Sequence, residues 1–148
     1  MKKFEKILFA TDFSESSEYA CDYAVSMAKK FDAPLLVVHV ISEPVDLRGF
    51  YVPHISFDNL EKEIEEGAEK MMQRFCRTKL NDFDNFQCTI LNGIPFEEII
   101  RKAEEEKVSL IVMGTHGRSG IDHLLFGSTA ERVVRKASCP VLTVRLPG

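Results

Sequence analysis

Gly114-Thr115-His116-Gly117, followed after nine residues by Gly127-Ser128-Thr129, combines residue types that bind anions. Glycines let the backbone approach a charged group with no Cβ in the way. A helix starting at Ser128 would offer unpaired N–H groups and the positive end of its dipole, and Ser128 and Thr129 add hydroxyl donors. His116 and Arg118 place positive charge beside the glycines, and a guanidinium grips phosphate as a fork. Asp12 could accept from ribose hydroxyls or hold a phosphate-bound Mg²⁺ through water. Each residue also has a plainer role open to it. The glycines could simply punctuate a loop, Asp12 could begin a capping box with Glu15, and His116 and Arg118 could be solvated. Neither G-x-x-x-x-G-K-[ST] nor G-x-G-x-x-G occurs in the chain. His39, on an apolar strand, reads as a hydrogen-bonded core histidine, and His116 with His123 makes no metal-ligand pattern.

A phosphate cradle needs a strand before it and a helix after it. Leu110-Ile111-Val112-Met113 is a short apolar run, read as a buried strand ending just before Gly114, and residues 128–137 repeat apolar positions at helical spacing. The same alternation runs from end to end. Ile7-Leu8-Phe9-Ala10 is a first strand, and Ala20, Ala24, Met27 and Phe31 mark a first helix with Ser14 as candidate N-cap. Ala33-Pro34 ends that helix, and residues 35–41 form a second buried strand. Residues 42–57, with Pro44, Gly49 and Pro53, form an irregular connection long enough to cover a site or a partner surface. From about Asp58 a second helix carries Leu60, Ile64, Ala68, Met71 and Phe75 on one face. Phe86, Cys88 and Ile90 alternate with polar residues as at a sheet edge, Asn92-Gly93 turns the chain, and Pro95 opens a third helix bearing Phe96, Ile99, Ile100 and Ala103. Cys139-Pro140 ends the fourth helix, and residues 141–145 are a fifth strand. Leu124, Leu125 and Phe126 require burial, against this domain by default or against a second subunit. The expected fold is a doubly wound, five-stranded parallel α/β sheet of Rossmann-like order 3-2-1-4-5 with helices on both faces. Its ligand crevice would lie where strand order reverses, and with the first strand central Thr11 and Asp12 would meet Gly114 there.

The 148 residues, 45% of them hydrophobic, suit one domain over 1–148 with an adequate core. A net charge of −4 argues against the basic footprint of a nonspecific nucleic-acid binder, leaving room only for one local basic spot. No apolar run approaches a membrane span or signal-peptide core. Cys21, Cys76, Cys88 and Cys139 form no C-x-x-C pair and read as reduced thiols of a cytoplasmic protein.

The G-x₂-G-x₉-G-[ST] pattern resembles the ATP-binding motif of the universal stress protein family. Residues 7–14 resemble that family's opening strand and loop, 37–40 its second strand, and 138–144 its closing strand. The resemblance implies that Gly114, Gly117, Gly127, Ser128 and Thr129 hold ribose and phosphates, with Asp12 at the ribose or metal. It also implies that Ala10, Thr11, Val40 and Met113 line the base pocket. Ala10 departs from relatives that carry proline there. The expected ligand is ATP, or AMP or ADP, with Mg²⁺, acting structurally or in regulation of a stress response. The expected partners are a second copy, paired through Val141–Val144, and a protein of unknown identity. No complete set of catalytic groups stands out, so hydrolysis would be slow or partner-dependent. A nucleotide-independent interaction protein of the same fold is the further alternative.

Overall fold

Ile7–Ala10 is buried at every position, as befits a strand covered on both faces. In the computed structural model, which describes residues 3–42, 57–116 and 126–147, this strand is β1. It is followed by α1 (Glu15–Phe31), β2 (Leu35–Ser42), α2 (Phe57–Lys79), β3 (Phe86–Gly93), α3 (Pro95–Glu105), β4 (Leu110–Gly114), α4 (Ser128–Lys136) and β5 (Val141–Val144). The strands form one all-parallel sheet in the order β3-β2-β1-β4-β5, the doubly wound arrangement expected from the sequence. β1 pairs with β2 through Ile7↔Leu35 and with β4 through Ile7↔Leu110. Strand order reverses between those two neighbours.

Side-chain alternation divides the core between the two faces. Ile7, Phe9, Leu35, Val37, Leu110 and Val112 pack with residues of α1 and α2, while Leu8, Ala10, Leu36, Val38, Ile111 and Met113 pack with residues of α3 and α4. Phe126 packs against the second of these clusters. The buried face of α1 is made of Ser16, Ser17, Ala20, Cys21, Ala24 and Ala28, small residues that let the helix lie close to the sheet.

Several boundaries differ from the sequence reading, each for a local reason. Gly114 belongs to β4 and pairs with Val144. Asn92 and Gly93 continue β3, because Ile41 and Ser42 of the long β2 strand hold them in register; the chain turns only at Gly93, where φ is 141°. α1 is ended by Asp32 in the left-handed conformation, its N–H returning to Ala28 O, so Ala33-Pro34 follows the stop and does not cause it. The core residue of the α2 stripe is Met72 and not Met71. α2 begins at Phe57, and β5 ends at Val144. Of the 42–57 connection, residues 43–56 lie outside the described residues.

Candidate functional site

The first wall of the site is built where β1 runs into α1. Thr11 continues the strand pairing, donating its N–H to Val38 O at 2.9 Å. Its Oγ1 shares a 2.9 Å hydrogen bond with Ser17 Oγ and accepts one from Phe13 N–H at 3.0 Å. Asp12 Oδ1 accepts from Ser14 N–H at 3.0 Å, an Asx turn. The N-cap of α1 is Ser14, whose Oγ accepts from Ser17 N–H at 3.2 Å. The capping-box reading of Asp12 with Glu15 is therefore replaced: Ser14 caps, and Asp12 shapes the turn before it. Phe13 adopts a φ of 64°, strained for an aromatic residue and costing on the order of 1–3 kcal/mol. Its ring lies 4.4 Å from that of His39 and 6.0 Å from that of Phe75.

His39 is hydrogen-bonded, as expected of a histidine on this strand, but it stands at the cavity wall and not in the core. Its Nδ1 is 2.8 Å from Thr11 O. A carbonyl oxygen can only accept, so Nδ1 carries the proton and the tautomer is set. The ring thereby braces the β1–α1 turn from β2.

The opposite wall forms where β4 ends and α4 begins. Thr115 N–H donates to Val144 O at 3.1 Å, and Gly127 N–H donates to Thr115 O at 2.7 Å, so the start of α4 is tied back to the end of β4. Thr115 Oγ1 lies 3.0 Å from His116 Nδ1. Gly127 is the N-cap of α4 and supplies no side-chain hydrogen bond to the first turn. The leading N–H groups of Ser128, Thr129 and Ala130 thus stand at the positive end of the helix dipole without a side-chain cap.

Between these walls, at the C-terminal ends of β1, β2 and β4, lies a cavity of about 570 Å³. Ala10, Thr11, Asp12, Val40, Met113, Gly114, His116, Gly127, Ser128 and Thr129 all line it. Gly117 and Arg118, the other two candidate binding residues, lie outside the described residues, as does His123. Sequence reasoning missed a further part of the wall: Ile64, Gly67, Ala68 and Met71 from α2, Pro95 and Ile99 from α3, Ser17 from α1 and Thr115 after β4. The apolar stripe of α2 announces this face, but not that its upper part runs past the covered sheet. Ile64 keeps 38% of its surface exposed, whereas Phe75 lower on that helix keeps 4%.

The lining carries two chemistries: Val38, Val40, Ile64, Ala68, Met71, Ile99 and Met113 are apolar, and Thr11, Asp12, Ser17, Thr115, His116, Ser128 and Thr129 are polar. Among the described residues no three His, Cys, Asp or Glu side chains converge on a metal position. A cation held here would depend on Asp12 together with the oxygens of its own ligand.

A family model described as the universal stress protein family matches residues 3–145. Universal stress protein MJ0531 of Methanocaldococcus jannaschii is 34% identical over 146 residues, covering 97% of this chain and 84% of that protein. The solved structure of MJ0577, from the same organism, superposes with a TM-score of 0.84 at 31% identity, covering 99% of both chains. A universal stress protein of Archaeoglobus fulgidus, solved in complex with dAMP, shares the fold with a TM-score of 0.67 at 23% identity, covering 96% of this chain and 98% of that one. With its doubly wound sheet and a family match running nearly from end to end, this chain belongs to the universal stress protein family.

Proposed function

We propose that the cavity binds an adenine nucleotide, ATP or else AMP or ADP, and that the nucleotide serves as a structural or regulatory ligand in a cytoplasmic stress response. The observation that carries this reading is one cavity lined both by apolar side chains and by a helix N-terminus without a side-chain cap. Its 570 Å³ falls within the range of small-molecule sites. Ala10, Val40 and Met113 suit a flat apolar base, with Ile64, Ala68 and Met71 facing them from α2. Thr11 lines the base pocket beside them, and Asp12 offers its carboxylate to ribose hydroxyls. Gly114, Gly127, Ser128 and Thr129, with Gly117, Arg118 and His116, are the residues for phosphates. Mg²⁺ would arrive on the phosphates, with Asp12 the nearest candidate to hold it through water. The dAMP complex of the Archaeoglobus relative is in keeping with the same class of ligand.

The reading includes a homodimer through β5. Val141, Leu142 and Thr143 are half-buried along an outermost strand, and edge strands are commonly paired or covered.

The test is to denature freshly purified protein and identify released nucleotide by mass spectrometry, then titrate stripped protein by thermal shift. At 100 times Kd, ligand linkage gives about 2.7 kcal/mol, or on the order of 5–10 °C in Tm for this size. No released nucleotide and no shift with ATP, ADP or AMP would sink the assignment.

A further inference from the structure

Two cysteines that the sequence separates meet in the fold. Cys76 lies near the end of α2 and Cys88 on the edge strand β3, twelve positions apart, and their sulfurs are 2.9 Å from each other. Cys76 is half-buried against the α1/α2 side of the core, while Cys88 is exposed. Partial desolvation, and then the hydrogen bond with Cys76, pushes the Cys88 thiol up to about 12. Either sulfur can donate its proton to the other in this contact. Cys21 is the other thiol near enough to influence the group, but it is fully buried.

We infer that Cys76 and Cys88 form a redox modification site, a dithiol that a peroxide converts into an intramolecular disulfide stapling α2 to β3. The thiolate of Cys76 attacks one peroxide oxygen, the O–O bond breaks, and the leaving hydroxide takes up a proton to become water. The Cys76 sulfenic acid then condenses with the Cys88 thiol, releasing a second water as the S–S bond forms. Two thiols are oxidised by two electrons and one peroxide is reduced. The sulfurs need under about 1 Å of further approach to reach the disulfide distance of about 2.05 Å. Reactive cysteines need access to solvent, which the attacking Cys76 has in part and the resolving Cys88 has in full. α2 also carries Ile64, Ala68 and Met71 of the cavity wall, so the staple would anchor that wall to the sheet edge.

The site does not depend on what fills the cavity, so its test is separate. Reduced protein is treated with stoichiometric hydrogen peroxide and mapped by mass spectrometry after non-reducing digestion. The expected result is a Cys76–Cys88 peptide pair lacking two hydrogens, reversed by dithiothreitol, and a Tm about 5–10 °C higher in the oxidised form. Cys139→Ser should retain the link; Cys76→Ser and Cys88→Ser should each lose it. A sulfinic acid on Cys88 with Cys76 still alkylatable would overturn the inference. So would a Cys76–Cys21 link, a bond only between chains, or both thiols unchanged.

Discussion

A Cβ on Gly114 would stand 2.5 Å from Ser16 Oγ and 3.1 Å from the Ser16 carbonyl carbon and oxygen. The glycine that begins the anion-binding pattern is thus also required for α1 to lie against β4. Gly114→Ala should destabilise the protein by about 1–3 kcal/mol, the usual cost of overpacking, measured by urea unfolding. Adding Ser16→Ala removes the nearest clash and should restore part of that loss; no loss in the single variant would contradict this packing role. At the opposite end of the sheet, Glu106 is 2.7 Å from Lys6 Nζ and 3.4 Å from Lys102 Nζ. The hydrogen bond with Lys6, then its charge, holds the Glu106 carboxyl below its ordinary value. The folded state therefore binds its proton less readily than the unfolded chain. The resulting stability is present above the unfolded value of about 4.3 and is lost as pH falls through the lower folded value. Glu106→Gln should lower the neutral Tm slightly and leave the Tm below that acidic window unchanged, so that stability flattens against pH, as read from thermal melts.

At the scale of elements, α1 and α4 start in contrasting ways. Ser14 supplies the side-chain cap of α1, while Gly127 supplies none to α4. A carboxylate placed in the first turn of α4 should take the place of an anion there. Thr129→Asp is expected to raise the stability of nucleotide-free protein by about 0.3–1 kcal/mol through the helix dipole and to weaken nucleotide binding strongly. A variant that gains no stability, or binds nucleotide as well as the parent, would argue against an anion site on α4. The polar part of this site could be read from residue types, because Asp12, Gly114 and Ser128 fall at ends of elements that the hydrophobic pattern announces. The parallel, doubly wound class followed from the same alternation, which does not by itself set the strand order. The α2 half of the wall could not be read, because Ile64, Ala68 and Met71 share one apolar stripe with Phe75. Periodicity identifies a face but not where along the helix the sheet beneath it ends. The Cys76–Cys88 contact was equally hidden, since it depends on how α2 sits across β3. The continuation of β3 through Asn92-Gly93 is set by pairing with β2, a partner that local turn chemistry does not include.

For the whole molecule, the doubly wound topology brings five separate parts of the chain to one crevice: the β1–α1 turn, the end of β2, the wall of α2, the start of α3 and the β4–α4 junction. The proposed pairing through β5 predicts a particle of about twice the 16.8 kDa chain mass by light scattering at micromolar concentration. A monomer there would remove the dimer from the account. The assignment of the crevice itself is tested most directly by equilibrium dialysis of nucleotide-stripped protein against labelled ATP with Mg²⁺. The expected result is saturable binding of one nucleotide per chain, competed by ADP or AMP and strongly weakened in Thr129→Asp. Retention no greater than a protein-free blank at millimolar ATP would contradict it.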